Sequence, residues 1–428
     1  MNDEYIPPRR KFLNEHLIYD ATQLSEIEGD NYLYYVRLTT EFLHPAFDRW
    51  VLGNNQEQPE KDPQIRNACR QQCKIPSFIK DDINSGKAKL VLDYSTEGYW
   101  DIDWQWITKI FEVNEDRIIW LTSLYNFADC RKEVNDELYH ISIDKTSAEV
   151  RYNPLWERII VTMLPDHVKD IEKQLNLIDS LHKRPLMAIT YNRRTHDHRV
   201  ALLSKLLYHN ELDNMIWSWG GVTGEPLFNN GNEFAQHAER QQRIQQITPR
   251  VNVFISPKYN DSVKKILQTP EHSYNEDMSV NKAFDMNYSH IHDTYYQVIT
   301  ETLYEQPGIF LSEKSYKPFL SGQPFILCGQ HHTIEVIRQQ GYDVYDKWIN
   351  HEYDNIIEDR ERMSVFMKEV LRLNSLSHEE WTKMLKEMLP TIKKNLKHLI
   401  DSNDKKDILS FNFSEPQPMP QRLIDILS

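Results

Sequence analysis

The chain has 428 residues, 40% of them hydrophobic and 27% charged, with a formal net charge of −14. That is the balance of a globular, core-forming protein with room for two domains. The acid excess argues against a surface that tracks nucleic acid throughout, because such binding rests on Lys and Arg neutralising phosphates; a local basic groove stays possible. The first residues lack the apolar run of a secretory leader, and no stretch of about 18 apolar residues predicts a membrane span. A cytoplasmic protein is therefore expected. Cys69, Cys73, Cys130 and Cys328 form no CxxC pair and read as buried free thiols.

In chain order, Leu33–Leu38, Ala88–Tyr94, Arg117–Leu124 and Ile159–Leu164 are predicted strands, being rich in branched and aromatic residues. An amphipathic helix follows over 166–183, with Ile171, Leu175, Ile178 and Leu181 on one face, until Lys183, Arg184 and Pro185 break it. A new strand at Leu186–Tyr191 and a helix at Arg199–Tyr208 mark a restart. The expected division is therefore residues 1–184, residues 185–395, and a tail of 396–428 that packs back on the first domain. The second half reads as strand 214–218, helix 233–247, strand 251–255, a polar loop over 256–291, helix 292–304, strand 309–312, helix 315–321, strand 324–328 and helix 332–340. Met363, Phe366, Met367, Val370 and Leu371 form an apolar stripe on a later helix, and a proline-rich end closes with a short helix over Gln421–Leu427. Alternating strands and helices predict an α/β fold with parallel sheets, whose ligands bind beyond the carboxyl ends of the strands.

Two clusters stand at such ends. The first is Asn192, Arg193, Arg194, Thr195, His196, Asp197, His198 and Arg199, between a strand and a helix. Guanidinium groups grip phosphate oxygens in a bidentate fork, and the free N–H groups of a helix start add to the pull. The alternatives are a solvated turn held by salt bridges and, for His196 with His198, a metal pair. The second cluster is Leu311, Ser312, Glu313, Lys314, Ser315, Tyr316 and Lys317, ending at Gly322 and Pro324. Ser312 is a good N-cap for a helix starting near Glu313, and Gly322 suits its end. Glu313 can accept ribose hydroxyls and Lys314 can meet a phosphate, unless the first only completes the cap and the lysines are surface residues.

Ser312-Glu313-Lys314 with Lys317, Gly322 and Pro324-Phe325-Ile326 resembles the nucleotide-sugar signature of α1,3-fucosyltransferases and exostosin-like glycosyltransferases. The Asn-Arg-Arg…His-Arg turn together with this motif resembles glycosyltransferases of large tailed phages and other viruses. Gly341–Tyr345, His351–Asp354 and Asp359–Arg362 extend that resemblance, which covers about 186–372.

The resemblance implies a GT-B fold, two Rossmann-like domains with a cleft between them and C-terminal helices packing back on the first. It implies a sugar donor linked to UDP or GDP and an acceptor glycan. For a phage-encoded enzyme in the host cytoplasm, a hydroxymethylated DNA base is the other acceptor. Glu313 would hold the ribose and Lys314 the diphosphate, helped by Arg193, Arg194 and Arg199, with His198 and Lys317 in the same set. Glu301 stands where fucosyltransferases carry a Glu-Asn-Ser turn. Fixed cations at the leaving diphosphate lower the barrier electrostatically, and a carboxylate takes the acceptor proton. Glu97 is the first candidate base and Asp93 the second. With cations supplying the charge, no metal and no other cofactor is expected, and Asp101-Ile102-Asp103 reads as a loop rather than a metal-binding Asp-x-Asp. A catalytically inactive relative that binds glycans is the competing reading. A hydrolase would want a paired-carboxylate or metal site, which the sequence does not offer.

Overall fold

The computed structural model describes residues 16–20, 32–38, 75–95, 104–125, 146–222, 233–270, 272–273, 286–305, 308–402 and 427. The chain divides into two compact α/β units. Met1–Leu155 with Asp407–Phe411 form the first, and Trp156–Lys406 with Asn412–Ser428 form the second.

The first unit holds a five-stranded sheet in sequence order: β1 (His16–Asp20), β2 (Tyr32–Arg37), β3 (Ala88–Asp93), β4 (Ile118–Thr122) and β5 (Glu149–Tyr152). Only β1 runs antiparallel to its neighbour. Strands β3 and β4 are buried nearly throughout, because helices α1 (Ser77–Asn84) and α2 (Trp104–Phe111) cross between parallel strands.

The border lies at Leu155 and Trp156, earlier than the expected 184/185. The reason is a misread segment. Ile159–Leu164 is not a strand but the junction of two helices, α3 (Leu155–Thr162) and α4 (Leu164–Asp179). Helix α4 belongs to the second unit, where Gln174 donates to the Gly322 carbonyl at 3.3 Å and accepts from the Arg184 guanidinium at 3.1 Å. Of the expected tail, 396–402 is the end of the helix over His378–Ser402, and 403–426 and 428 lie outside the described residues.

The second sheet is built from β6 (Leu186–Asn192), β7 (Met215–Trp219), a short β8 (His272–Ser273), β9 (Thr294–Thr300) and β10 (Phe325–Cys328). Its spatial order is β10-β9-β6-β7-β8, parallel except for β8. From β6 the chain moves one way to β7, and from β9 it moves the other way to β10. The switch point therefore lies between β6 and β9.

The helices after these two strands lie on opposite faces. α5 (Asp197–Tyr208) packs with α6 (Glu233–Phe254), α7 (Asn260–Gln268) and the later helix over Asp359–Ser375. Beyond the short α8 (Tyr288–Asp293), α9 (Glu313–Ser321) packs with α4 and with the long helix over His378–Ser402. Adjacent β9 residues reach both of the later helices: Tyr295 donates to the His378 carbonyl at 3.2 Å, while Tyr296 donates to Asn374 at 2.7 Å.

Three further expectations change. The segment read as helix 292–304 is strand β9, the run read as strand 251–255 is the end of α6, and the expected loop over 256–291 contains α7, β8 and the start of α8. Met363, Phe366, Met367 and Val370 are buried as expected, with Leu373 rather than Leu371 completing the stripe. Cys328 is a buried free thiol; the other three cysteines lie outside the described residues.

Candidate functional site

A cavity of about 250 Å³ opens at the carboxyl ends of β6 and β9, within the second unit. Its floor is Ile189 and Tyr191 from β6 with Gln297, Val298, Ile299 and Thr300 from β9. Ile189 pairs with Gln297 across the sheet, so the alternating residues Ile189, Tyr191, Gln297 and Ile299 share one face. Its rim is charged: Arg193, Arg194 and Arg199 on one side, Glu313, Lys314 and Lys317 on the other. Five cations and one carboxylate thus surround a cavity in a chain whose formal net charge is −14.

The arginines are placed by the turn after β6. Gly220 donates its N–H to the Asn192 carbonyl at 3.0 Å, and Thr195 Oγ1 donates to the Gly221 carbonyl at 2.7 Å, which sews the turn to the end of β7. Arg193 and Arg194 are exposed. Arg199, on the first turn of α5, is only 3% exposed. One of its terminal nitrogens donates to the Glu301 carbonyl at 3.2 Å and the other reaches the Arg194 carbonyl at 3.4 Å, but its buried Nε has no partner. Among the described residues no carboxylate makes an ion pair with Arg199. Burial lowers its pKa to about 10, with Glu301 and Glu313 acting in the opposite direction, so it stays charged at neutral pH. A buried cation without a bound counter-ion is costly, and here it faces the cavity.

The opposite rim is the start of α9. Ser312 caps this helix, its Oγ accepting from the Lys314 N–H at 3.3 Å, and Gly322 ends it in the left-handed region at φ 67°. Lys314 Nζ lies 3.1 Å from Glu313 Oε1 and donates to Ser312 Oγ at 3.0 Å and Thr302 Oγ1 at 3.2 Å. Burial acts to raise the Glu313 pKa, but Lys314 and Lys317 outweigh it and hold the carboxyl below its usual value. Glu313 is therefore an anion at neutral pH, able to accept hydroxyl donors.

His198 and Glu301 are beneath the cavity rather than in it. The His198 ring is buried, pairs through Nε2 with the Glu301 carbonyl at 2.9 Å and stacks on Tyr304; burial and then Arg199 push its pKa far down. Glu301 is 0% exposed. Its Oε1 accepts from the Ser312 N–H at 2.9 Å and the Ser315 hydroxyl at 2.6 Å, and its Oε2 from the Ser312 hydroxyl at 2.7 Å and the Thr302 N–H at 3.0 Å. With both oxygens bonded within the protein it acts as an anchor, and it does not line the cavity. His196 and His198 lie with ring centroids 5.6 Å apart.

Of the candidate bases, Glu97 lies outside the described residues. Asp93 is 3% exposed; one oxygen accepts from the Tyr35 hydroxyl and the other from the Ser95 N–H at 2.9 Å. That is the setting of a strand-end anchor. Among the described residues no group of three or more His, Cys, Asp or Glu side chains is placed to hold a metal ion, and Asp101 and Asp103 fall outside them. No described helix is long and apolar enough to cross a membrane.

The β6 half of the floor is legible in the sequence, and the β9 half is not. Gln297 and Ile299 fall in the segment expected to be helix 292–304, although the run Thr294–Thr300 carries the β-branched and aromatic residues of a buried strand. No protein-family model matches this chain, and a comparison with curated proteins gives no match either.

Proposed function

We propose that this chain is a glycosyltransferase that moves a sugar from a nucleoside-diphosphate donor to an acceptor hydroxyl, with the donor diphosphate held at the rim of the second-unit cavity. The observation that carries this reading is Arg199: a buried, cavity-facing cation with no carboxylate partner among the described residues, flanked by Arg193, Arg194, Lys314 and Lys317. A diphosphate supplies the missing negative charge. As the sugar–phosphate bond breaks, charge grows on that diphosphate, and cations already in place stabilise it without reorganising. Glu313 is the group suited to ribose hydroxyls, and the floor face of Ile189, Tyr191 and Ile299 suits the flat parts of a nucleoside.

On this reading the two α/β units are the two halves of a GT-B transferase, and the acceptor is a glycan or, for a phage enzyme, a hydroxymethylated base in DNA. The base that deprotonates the acceptor belongs to the first unit, where Glu97 remains the candidate. A second reading, a transferase-like protein that binds the nucleotide-sugar without turning it over, is favoured by one observation: Asp93 has both oxygens engaged.

A thermal-shift panel of nucleotides and nucleotide-sugars, followed by assay of the best binder for release of free sugar or transfer, separates these readings. Stabilisation by a nucleoside diphosphate with turnover supports the transferase, and stabilisation without turnover supports the second reading. A panel that shifts nothing sinks both.

A further inference from the structure

We infer that Glu301 is the positioning residue of this cavity, a buried brace that fixes the two cationic helix starts at one spacing; the inference rests on the proposed diphosphate site. Glu301 follows β9 directly, at the switch point. Its carbonyl accepts from Arg199 at 3.2 Å and from the His198 ring at 2.9 Å, both on the first turn of α5. Its carboxylate accepts from the Ser312 N–H and from the hydroxyls of Ser312 and Ser315, on the first turn of α9. One residue thus ties together the starts of two helices that lie on opposite faces of the sheet and present Arg199 and Lys314 to the same cavity.

The link to Lys314 runs through Ser312. Its Oγ donates to Glu301 at 2.7 Å, caps the Lys314 N–H and receives the Lys314 ammonium at 3.0 Å. A hydroxyl whose own proton is committed to Glu301 offers its lone pairs to Lys314. The requirement is for an acceptor-only group, since all four of the carboxylate's contacts are donors. Glutamine at 301 keeps the shape but turns an N–H₂ toward Thr302 N–H or Ser312 N–H, and one of these backbone donors then goes unpaired.

The test is calorimetric titration of the full chain with inorganic pyrophosphate, which depends on neither the sugar nor the nucleobase. The proteins are the parent, Lys314→Ala, Glu301→Gln and the double variant, each held below its melting temperature. Lys314→Ala is expected to weaken binding by about tenfold, as the loss of a charged hydrogen bond does. Glu301→Gln should weaken it comparably, and the double variant should bind no worse than the poorer single, because Gln leaves the carbonyl held by Arg199 and His198 in place and changes only the carboxylate, which acts on the α9 start and so through Lys314.

A purely structural role would lower the melting temperature and leave pyrophosphate affinity of the folded protein unchanged. Full affinity in Glu301→Gln overturns the brace alone, as do losses that multiply in the double variant. A parent chain that does not bind pyrophosphate overturns both the brace and the proposed function. If Glu301→Gln does not fold, the same cycle is read with Ser315→Ala, which removes one bond to the brace and keeps its charge. That change should weaken binding a few fold in the parent and not at all in the Lys314→Ala background.

Discussion

Gly220 presses against the backbone of Arg193: a β-carbon on Gly220 would stand 1.8 Å from the Arg193 carbonyl oxygen. Only a residue without a side chain lets the end of β7 approach the turn that carries the cavity's arginines. Gly220→Ala must push that turn outward, and overpacking of this kind costs about 1–3 kcal/mol. The expected outcome is a lower melting temperature together with weaker nucleoside-diphosphate binding. A variant that melts lower yet binds like the parent would show that the turn's position does not matter to the ligand.

On the opposite rim, Lys314→Ala should weaken binding of the best nucleoside diphosphate by about 1.5–3 kcal/mol, the range for a hydrogen bond to a charged group. Glu313→Ala should weaken nucleoside-diphosphate binding while leaving pyrophosphate binding intact, because its carboxylate suits the ribose. Arg193 and Arg194 are adjacent and exposed, so each single alanine should be milder than the pair. Titration calorimetry of the folded variants measures all three, and parent-like binding by Lys314→Ala would place the diphosphate elsewhere.

The rim cations also bear on metal dependence. If Arg193, Arg194, Arg199, Lys314 and Lys317 neutralise the leaving diphosphate, donor turnover should continue in EDTA. Loss of turnover with EDTA and its return with Mg²⁺ or Mn²⁺ would direct attention to Asp101 and Asp103.

His196 makes a prediction about pH. Burial, with Arg199, Lys314 and Arg194 close by, pushes its pKa down to about 3, and its buried Nε2 has no partner. The unfolded chain takes up this proton below about pH 6.5, whereas the folded chain does not until about pH 3. Stability is therefore lost as the pH falls through that interval, by about 2 kcal/mol at pH 5 from this residue alone. His196→Gln removes the titration without removing a hydrogen bond from Nε2. Its melting temperature should fall less between pH 7 and pH 5 than the parent's, and equal falls would show that His196 is not held neutral.

The site's two rims were legible because each rests on local chemistry. Ser312, Glu313 and Gly322 form a cap, a first turn and a left-handed end that any helix of this kind needs, and Arg193 and Arg194 follow an apolar strand directly. The β9 half of the floor was not legible. Thr294–Thr300 is buried on both faces, so it lacks the alternation of a half-exposed strand, and its apolar residues also satisfy helical spacing. Ile159–Leu164 failed the opposite way: a β-branched run lies in two successive helices, so tertiary context overrides its local preference. The role of Glu301 was out of reach as well. Its partners Ser312 and Ser315 follow 11 and 14 residues later, and only the fold brings them together.

Arg199 offers the sharpest separation of function from stability. Its charge is buried, its Nε is unpartnered, and its two bonds go to backbone carbonyls rather than a carboxylate. Holding an unpaired charge out of water carries a desolvation penalty, and an apolar side chain of similar volume removes it. Arg199→Met fits that description, since methionine fills irregular space and α5 tolerates it. The Glu301 carbonyl it abandons still accepts from His198. If the arginine is there for a bound anion, Arg199→Met should keep or raise the melting temperature of the free protein. It should also weaken nucleoside-diphosphate binding by about tenfold or more, the loss of a charge-assisted hydrogen bond in a buried setting. Thermal melts without ligand and calorimetry with it give the two readings. A variant that melts much lower would assign Arg199 to the fold instead, and one that binds as the parent does would remove the observation on which the proposed function stands.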